Sequence, residues 1–308
     1  KTNNLQLRLL DDMTLLQILS RLLLEEKVPG LKMQAFEALK ILLDSNIALT
    51  SNSPRGIELE MGLKDEGQDF TNINTSNYFQ AFYEKVAPTL FASLISGKDT
   101  SKDAKYGKKD DQLLIQHLLE LVSFCIKEHN PEILKSFFLD NDIFKGVGEI
   151  IEWENAKTVL KVAAIRCIKS IILLIDDQYT EYLIENDVLG YVFRYFVTLI
   201  SENNLANSLC LDLLDLIVKN WRFDHKNFKK LGQYIVSKYR DVLEQITYVS
   251  VGADVIELTE SINTSLTPLE PNAEQDTDVE KTEELDRDRR EKRQFEETEE
   301  TMLGKSKW

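Results

Sequence analysis

A seven-residue string occurs twice in this chain, and the distance between its copies restricts what the chain can fold into. Phe138-Leu139-Asp140-Asn141-Asp142-Ile143-Phe144 matches Leu183-Ile184-Glu185-Asn186-Asp187-Val188-Leu189 in chemical type at every position, 45 residues further on. In both copies an apolar run stops at an acidic residue, Asn-Asp turns the chain, and a second apolar run begins. Either residue of the pair is suited to cap the helix that follows by accepting its free amide hydrogens. A period of this length marks a supersecondary unit that buries its apolar face only by stacking on its neighbours.

The rest of the chain fits that reading. Segments 31–45, 113–129, 159–176 and 205–220 carry apolar residues at three- and four-residue steps, the period of an amphipathic helix. Aligned on Gln34, Gln116, Ala163 and Ser208, they are separated by 82, 47 and 45 residues, the first interval being about two units' worth of chain. Each unit reads as a short helix, a second helix opened by Asn-Asp, and a long third helix. Three helices per unit is the armadillo arrangement, whereas two would be HEAT. The expected fold is therefore an all-α, right-handed armadillo/HEAT-type superhelix (an α-solenoid). Residues 1–258 form the repeat domain, with loops at 51–76 and 97–111, and Leu258 is its last residue. Residues 77–96 supply a second element bent at Pro88, because proline removes a helix hydrogen bond, and 224–248 a closing helix or pair. Residues 259–308 form an acidic, charged tail with too few apolar side chains to fold alone.

Composition narrows the function. The formal net charge of −15 argues against a nucleic-acid binder, which needs a basic face to displace counterions. It fits basic partners or plain solubility. Cys125, Cys167 and Cys210 lie in apolar helical runs without a CxxC pair, as small core residues of a reduced compartment would. No apolar run is long enough to span a bilayer. The chain starts at Lys1 and reads as a fragment of a longer protein. Its first helix carries Leu7, Leu10, Leu15, Leu19, Leu22 and Leu23, more apolar surface than one neighbour covers, so an upstream repeat is expected to pack there. No phosphate-binding glycine loop and no GxSxG elbow occurs. His117, His129 and His225 stand apart, without metal-ligand spacing. His129 is expected at a helix end with a partly positive ring, and His117 and His225 at the surface or its boundary. The chain thus reads as no enzyme, with no cofactor and no metal.

What remains is surface. In an armadillo stack the third helices line a groove, and here their exposed positions are Glu37, Lys40, Gln116, Glu120, Arg166, Lys169, Asp212 and Asp215. These are the candidate protein-binding residues; the plain alternative is a solvated helix face. Where import-type armadillo proteins carry Trp and Asn ladders, this chain has Glu37, Leu119, Arg166 and Leu211, and Ile41, Ser123, Ser170 and Asp215, which counts against that transport role.

Several strings in order carry a resemblance: Asn77-Tyr78-Phe79-Gln80-Ala81-Phe82-Tyr83 through Ala87-Pro88-Thr89-Leu90; Leu121-Val122-Ser123-Phe124-Cys125-Ile126-Lys127-Glu128-His129; Ala164-Ile165-Arg166-Cys167-Ile168-Lys169-Ser170-Ile171-Ile172; Asp177-Gln178-Tyr179-Thr180-Glu181-Tyr182-Leu183-Ile184; and Asn204-Leu205-Ala206-Asn207-Ser208. Between about Leu15 and Val249 the chain resembles the regulatory-subunit-3 family of protein phosphatase 4, also called SMEK. The resemblance implies a non-catalytic subunit that brings a serine/threonine phosphatase catalytic subunit, with a second regulatory subunit, to phosphoprotein substrates in the nucleus and cytoplasm, in settings such as DNA-damage recovery. The net charge and the short apolar runs add the expectation of no direct nucleic-acid and no membrane contact. The family's EVH1-like domain has no counterpart in this sequence. Its tail pattern of a basic run, an acidic run and an aromatic end is matched by 287–293 and 296–300, but poorly by Met302, Leu303 and Trp308. The other reading of the residues is an armadillo-type adaptor or transport factor unrelated to phosphatases.

Overall fold

The computed structural model describes residues 12–45, 67–96 and 112–266. Among these there are thirteen α-helices and one 3-10 turn, and no strand. The chain divides into two compact units, Lys1–Ile262 and Asn263–Trp308; of the second, the described residues are 263–266, which are helical. The loop expected at 97–111 and nearly all of the charged tail lie outside the described residues, as do Leu7 and Leu10.

The helices are α1 (Thr14–Glu25), α2 (Pro29–Leu42), α3 (Gly67–Lys85), α4 (Ala87–Leu90), α5 (Gln112–Glu128), α6 (Pro131–Phe138), α7 (Ile143–Glu152), α8 (Thr158–Ile172), α9 (Asp177–Glu185), α10 (Val188–Val197), α11 (Leu205–Arg222), α12 (Lys226–Glu244) and α13 (Val251–Leu266). The 3-10 turn is Ala92–Leu94. Three runs of contacts relate them. Helices α2, α5, α8 and α11 pack one on the next; α3 packs on α6 and α9 on α12; the 3-10 turn packs on α7 and α7 on α10. Each unit thus presents first, second and third helices to the same elements of its neighbour, as a helical repeat requires. Because α2 touches α5 directly, the 82-residue interval holds one unit enlarged by insertions rather than two. Helix α3 takes the first-helix place, and α4 with the 3-10 turn takes the second. The bend expected at Pro88 is a break just before it, where Val86 leaves helical geometry (φ −117°, ψ −48°) and Pro88 falls in the first turn of α4, where a missing N–H costs nothing.

Helix starts follow the side chains that accept amide hydrogens. Asn130 accepts from the Glu132 N–H at 2.9 Å, Asp176 from Gln178 at 2.9 Å and Tyr179 at 3.2 Å, and Asn204 from Asn207 at 2.9 Å. The Asn-Asp turns work differently from the expectation. Neither Asp142 nor Asp187 makes a side-chain cap bond to its following helix; both sit in the left-handed region (φ 50°, ψ 35° and φ 51°, ψ 36°). Asparagine faces backwards instead. Asn141 Nδ2 donates to the Phe137 carbonyl at 2.8 Å and Asn186 Nδ2 to Tyr182 at 3.1 Å, each adding a second hydrogen to a carbonyl of the preceding helix that already accepts the asparagine's own N–H. The left-handed residue frees the aspartate carboxylate for the next unit. Tyr182 donates its phenol to Asp142 at 2.7 Å, and Tyr234 and Tyr239 both donate to Asp187, the latter at 2.6 Å.

Aromatic rings knit successive units: Tyr83, Phe91, Phe137, Phe138, Phe144 and Tyr179 form a chain of neighbouring rings running from α3 to α9. Each buried ring contributes about 2–3 kcal/mol by leaving water. Gly148 lets α10 come close, since a Cβ there would lie 2.2 Å from the Tyr191 ring. Two expected boundaries shift. Residues 67–76, within the expected loop at 51–76, belong to α3 as far as they are described; polar helix propensities cost only tenths of a kcal/mol each and are outweighed by buried Tyr78, Phe79, Phe82 and Tyr83 further along the helix. Helix α13 runs past Leu258, with Thr259 buried and its hydroxyl bonded to the Val255 carbonyl at 2.9 Å.

Candidate protein-binding face

The four third helices bury one side and leave the other open. Phe36 and Leu39 of α2, Leu118 and Val122 of α5, Ile165 and Ile168 of α8, and Leu213 and Ile217 of α11 are all buried. The residues singled out in the sequence occupy the opposite side: Glu37, Glu120, Arg166 and Asp212 are exposed, and Lys40, Gln116, Lys169 and Asp215 half-buried.

Most of them are held by near neighbours. Glu37 and Lys40 pair at 3.9 Å, with the Lys40 ammonium also over the Phe36 ring at 5.2 Å. Gln116 donates to Glu120 at 3.0 Å, and Lys219 pairs with Asp215 at 2.6 Å. Such exposed pairs contribute about 0–1 kcal/mol each. Lys169 is the exception, because it reaches across from α8 to Asp212 on α11 and ties two units together. The Arg166 guanidinium has no hydrogen-bond or ion-pair partner among the described residues.

Three of the eight residues come together in one place. Arg166, Lys169 and Asp212 line a groove of about 490 Å³ between α8 and α11, open to solvent. Glu37, Lys40, Gln116, Glu120 and Asp215 do not line it. The groove also has members that sequence reasoning missed. Lys127, from the last turn of α5, is exposed, and its ammonium is without a partner among the described residues. Leu173 and Leu205 stand at its margins, 49% and 61% exposed, and Leu209 forms its floor. Sequence reasoning listed only polar and charged groove residues, and it is the exposure of Leu173 and Leu205 beside the groove that adds them.

His225 is exposed, as expected, but His129 and His117 differ from expectation. His129 is buried, with Nε2 donating to the Leu43 carbonyl at 2.7 Å and Nδ1 accepting from the Tyr83 hydroxyl at 2.6 Å. Burial drives its pKa down to about 4, so the ring is neutral rather than partly positive. His117 is buried as well, stacked on Phe36 with ring centroids 4.6 Å apart, and burial lowers its pKa. Both stand at the joint with α2, where the packing partner lies far away in sequence and no local pattern announces it. The three cysteines are free and buried, and burial raises each thiol to about 12, far from a nucleophile's range. Among the described residues no group of three or more His, Cys, Asp or Glu is placed to hold a metal, and no helix is long and apolar enough to cross a membrane.

A stack of helical units with an open third-helix face defines a helical-repeat protein of the α-solenoid kind. Comparison with known proteins agrees with that class and gives it a family. A family model described as phosphatase 4 regulatory subunit 3 matches residues 2–261. The chain is 34% identical over 263 residues to a serine/threonine-protein phosphatase 4 regulatory subunit 3 of Eremothecium gossypii, a match covering 80% of this chain and 30% of that protein. A protein of the same description from Kluyveromyces lactis is 31% identical over 268 residues, covering 78% and 35%. Suppressor of Mek1 of Dictyostelium discoideum is 24% identical over 259 residues, covering 80% and 22%. No solved structure matches the chain. The chain belongs to the phosphatase 4 regulatory subunit 3 family. It spans about a third of the length of the Eremothecium and Kluyveromyces proteins.

Proposed function

We propose that this chain is the helical scaffold through which a type 4 serine/threonine phosphatase catalytic subunit, with a second regulatory subunit, is brought to phosphorylated substrates in the nucleus and cytoplasm. The observation that carries the reading is the family match over residues 2–261, joined to a third-helix face that is continuous from α2 to α11 and bears charges of both signs. The contact is assigned to that face, with Arg166, Lys169, Asp212 and Asp215 at its centre and Glu37, Lys40, Gln116 and Glu120 extending it. A scaffold of this kind needs no reacting group of its own. Its work is to raise the local concentration of substrate around an enzyme bound nearby.

Co-purification tests the reading. The tagged chain is incubated with recombinant type 4 phosphatase catalytic subunit, washed, and assayed with a phosphopeptide. Phosphatase activity retained on the tagged chain, above that on a tag-only control, is the expected result. Activity lost entirely in the wash sinks the reading and favours an adaptor unrelated to phosphatases.

A further inference from the structure

We propose that the groove between α8 and α11 binds a carboxylate-rich segment of a partner protein that also offers a bulky apolar side chain. The proposal rests on the reading of the third-helix face as a binding surface, and adds the chemistry of what binds. Charge is the first argument. The chain as a whole carries −15, so an isolated basic spot on it departs from the average field. Lys127, Arg166 and Lys169 face this one groove against the single carboxylate of Asp212, and that carboxylate is already neutralised by Lys169. The side chains of Lys127 and Arg166 are left exposed, with no partner among the described residues. Two unpaired cations beside a groove favour anionic groups, and Arg166 presents a planar fork that fits a carboxylate with two hydrogen bonds.

Apolar surface is the second argument. Leu173 and Leu205 are exposed at the margins of the same groove, and Leu209 floors it. Exposed leucines scattered singly need no explanation, but two flanking a cavity beside free cations make a mixed surface that a purely charged ligand leaves half used. A volume of about 490 Å³ is in the range of sites that take a few side chains. Ser170 and Ser208 add hydroxyls along the wall, although each already donates to a backbone carbonyl, at 3.0 Å and 3.2 Å, and so offers its lone pairs rather than its hydrogen. That pattern does not add donors for a phosphate. The cations supply the attraction, and a carboxylate-bearing chain meets them without demanding more.

The test uses the whole chain and a fluorescein-labelled peptide of alternating glutamate and leucine, followed by fluorescence anisotropy. Control peptides replace glutamate by glutamine, replace leucine by alanine, or carry phosphoserine in place of glutamate. The glutamate–leucine peptide is expected to bind, with each of the first two controls weaker by roughly tenfold and the affinity falling as salt is added. Lys127→Glu with Arg166→Glu is expected to abolish that preference, and Leu205→Ser to weaken binding of the leucine-bearing peptide alone. These side chains are exposed, so the helical circular dichroism spectrum should not change. Equal binding of the glutamate and glutamine peptides, tighter binding of the phosphoserine peptide, or indifference to the double charge reversal overturns the proposal. Phosphatase co-purification run beside it separates the two readings. Loss of peptide binding with phosphatase retained refutes the groove alone, whereas phosphatase loss with peptide binding intact refutes the scaffold reading and keeps the groove.

Discussion

Two joints of the stack solve the same problem with different acceptors. At the first, the Tyr83 phenol at the end of α3 donates to the neutral ring of His129, the residue following α5, and that ring passes its own hydrogen to Leu43 at the end of α2. At the other, the Tyr234 and Tyr239 phenols of α12 converge on the Asp187 carboxylate between α9 and α10, with Lys238 and Arg194 each at 3.4 Å. Both joints need an acceptor because a buried phenol without one is costly. They differ in what protonation does to them. The imidazole must stay neutral to accept, whereas the carboxylate must stay charged. Burial works against the charge on Asp187, yet the hydrogen bonds from Tyr234 and Tyr239 and the Lys238 ammonium hold its pKa below the ordinary value. Similar packing thus gives two joints that respond in different pH ranges.

The largest expected effect separates them by pH. His129 has a folded pKa of about 4 against 6.5 unperturbed, so the unfolded chain takes up the proton first as acid is added. Its contribution is fully present above pH 6.5 and is lost as pH falls toward about 4, by about 3 kcal/mol in all. The Asp187 contribution is present above its unfolded value of 3.8 and is lost only as pH drops below that, through its lower folded value. Urea unfolding across this window should therefore show a decline that His129→Gln largely removes, because glutamine accepts and donates without titrating. An identical decline in the variant breaks the comparison.

Next in size is the carboxylate itself. Asp187→Ala strands two phenols and should cost roughly 2–3 kcal/mol in thermal or chemical unfolding. Asp142→Ala, at the equivalent turn with one phenol from Tyr182, should cost about 1 kcal/mol. A ratio near one instead of near two would mean that the turn conformation, not the phenol count, sets the energy. The smallest effect belongs to the ion pairs that bridge units in the open. Lys230 pairs with Glu181 at 2.9 Å, and Lys230→Ala should leave the urea midpoint within experimental scatter of the unmodified chain. A larger loss would show that the joint around α12 depends on charge rather than on its phenols.

Much of this was legible in the sequence, for a reason that the turns illustrate. The short helix and the second helix opened by Asn-Asp occur as α6 (Pro131–Phe138) and α7 (Ile143–Glu152), because proline, the Asn-Asp pair and apolar periodicity all mark the same boundaries. The third-helix ladder also follows from periodicity. The roles inside the turn do not. Asn141 and Asn186 as donors to the preceding helix, and Asp142 and Asp187 as acceptors for tyrosines 40 or more residues away, depend on a partner that local sequence does not name. The candidate site was legible to the same depth. Arg166, Lys169 and Asp212 lie where helical phase put them, but Lys127 joins them only through the packing of α5 on α8. For the same reason His117 was expected at the surface or its boundary but is buried, and His129 was expected partly positive at its helix end but is buried and neutral.

The three thiols have a consequence for watching this molecule at work. Cys125, Cys167 and Cys210 sit one apiece in α5, α8 and α11, each enclosed and protonated. A thiol reagent meets none of them while its own helix stays seated, and meets each when that helix comes loose. The chain therefore carries three internal clocks, spaced along its length and readable by mass without any added label. If neighbouring units open one after another, the clocks will start at different times; if they open as one body, all three will start together.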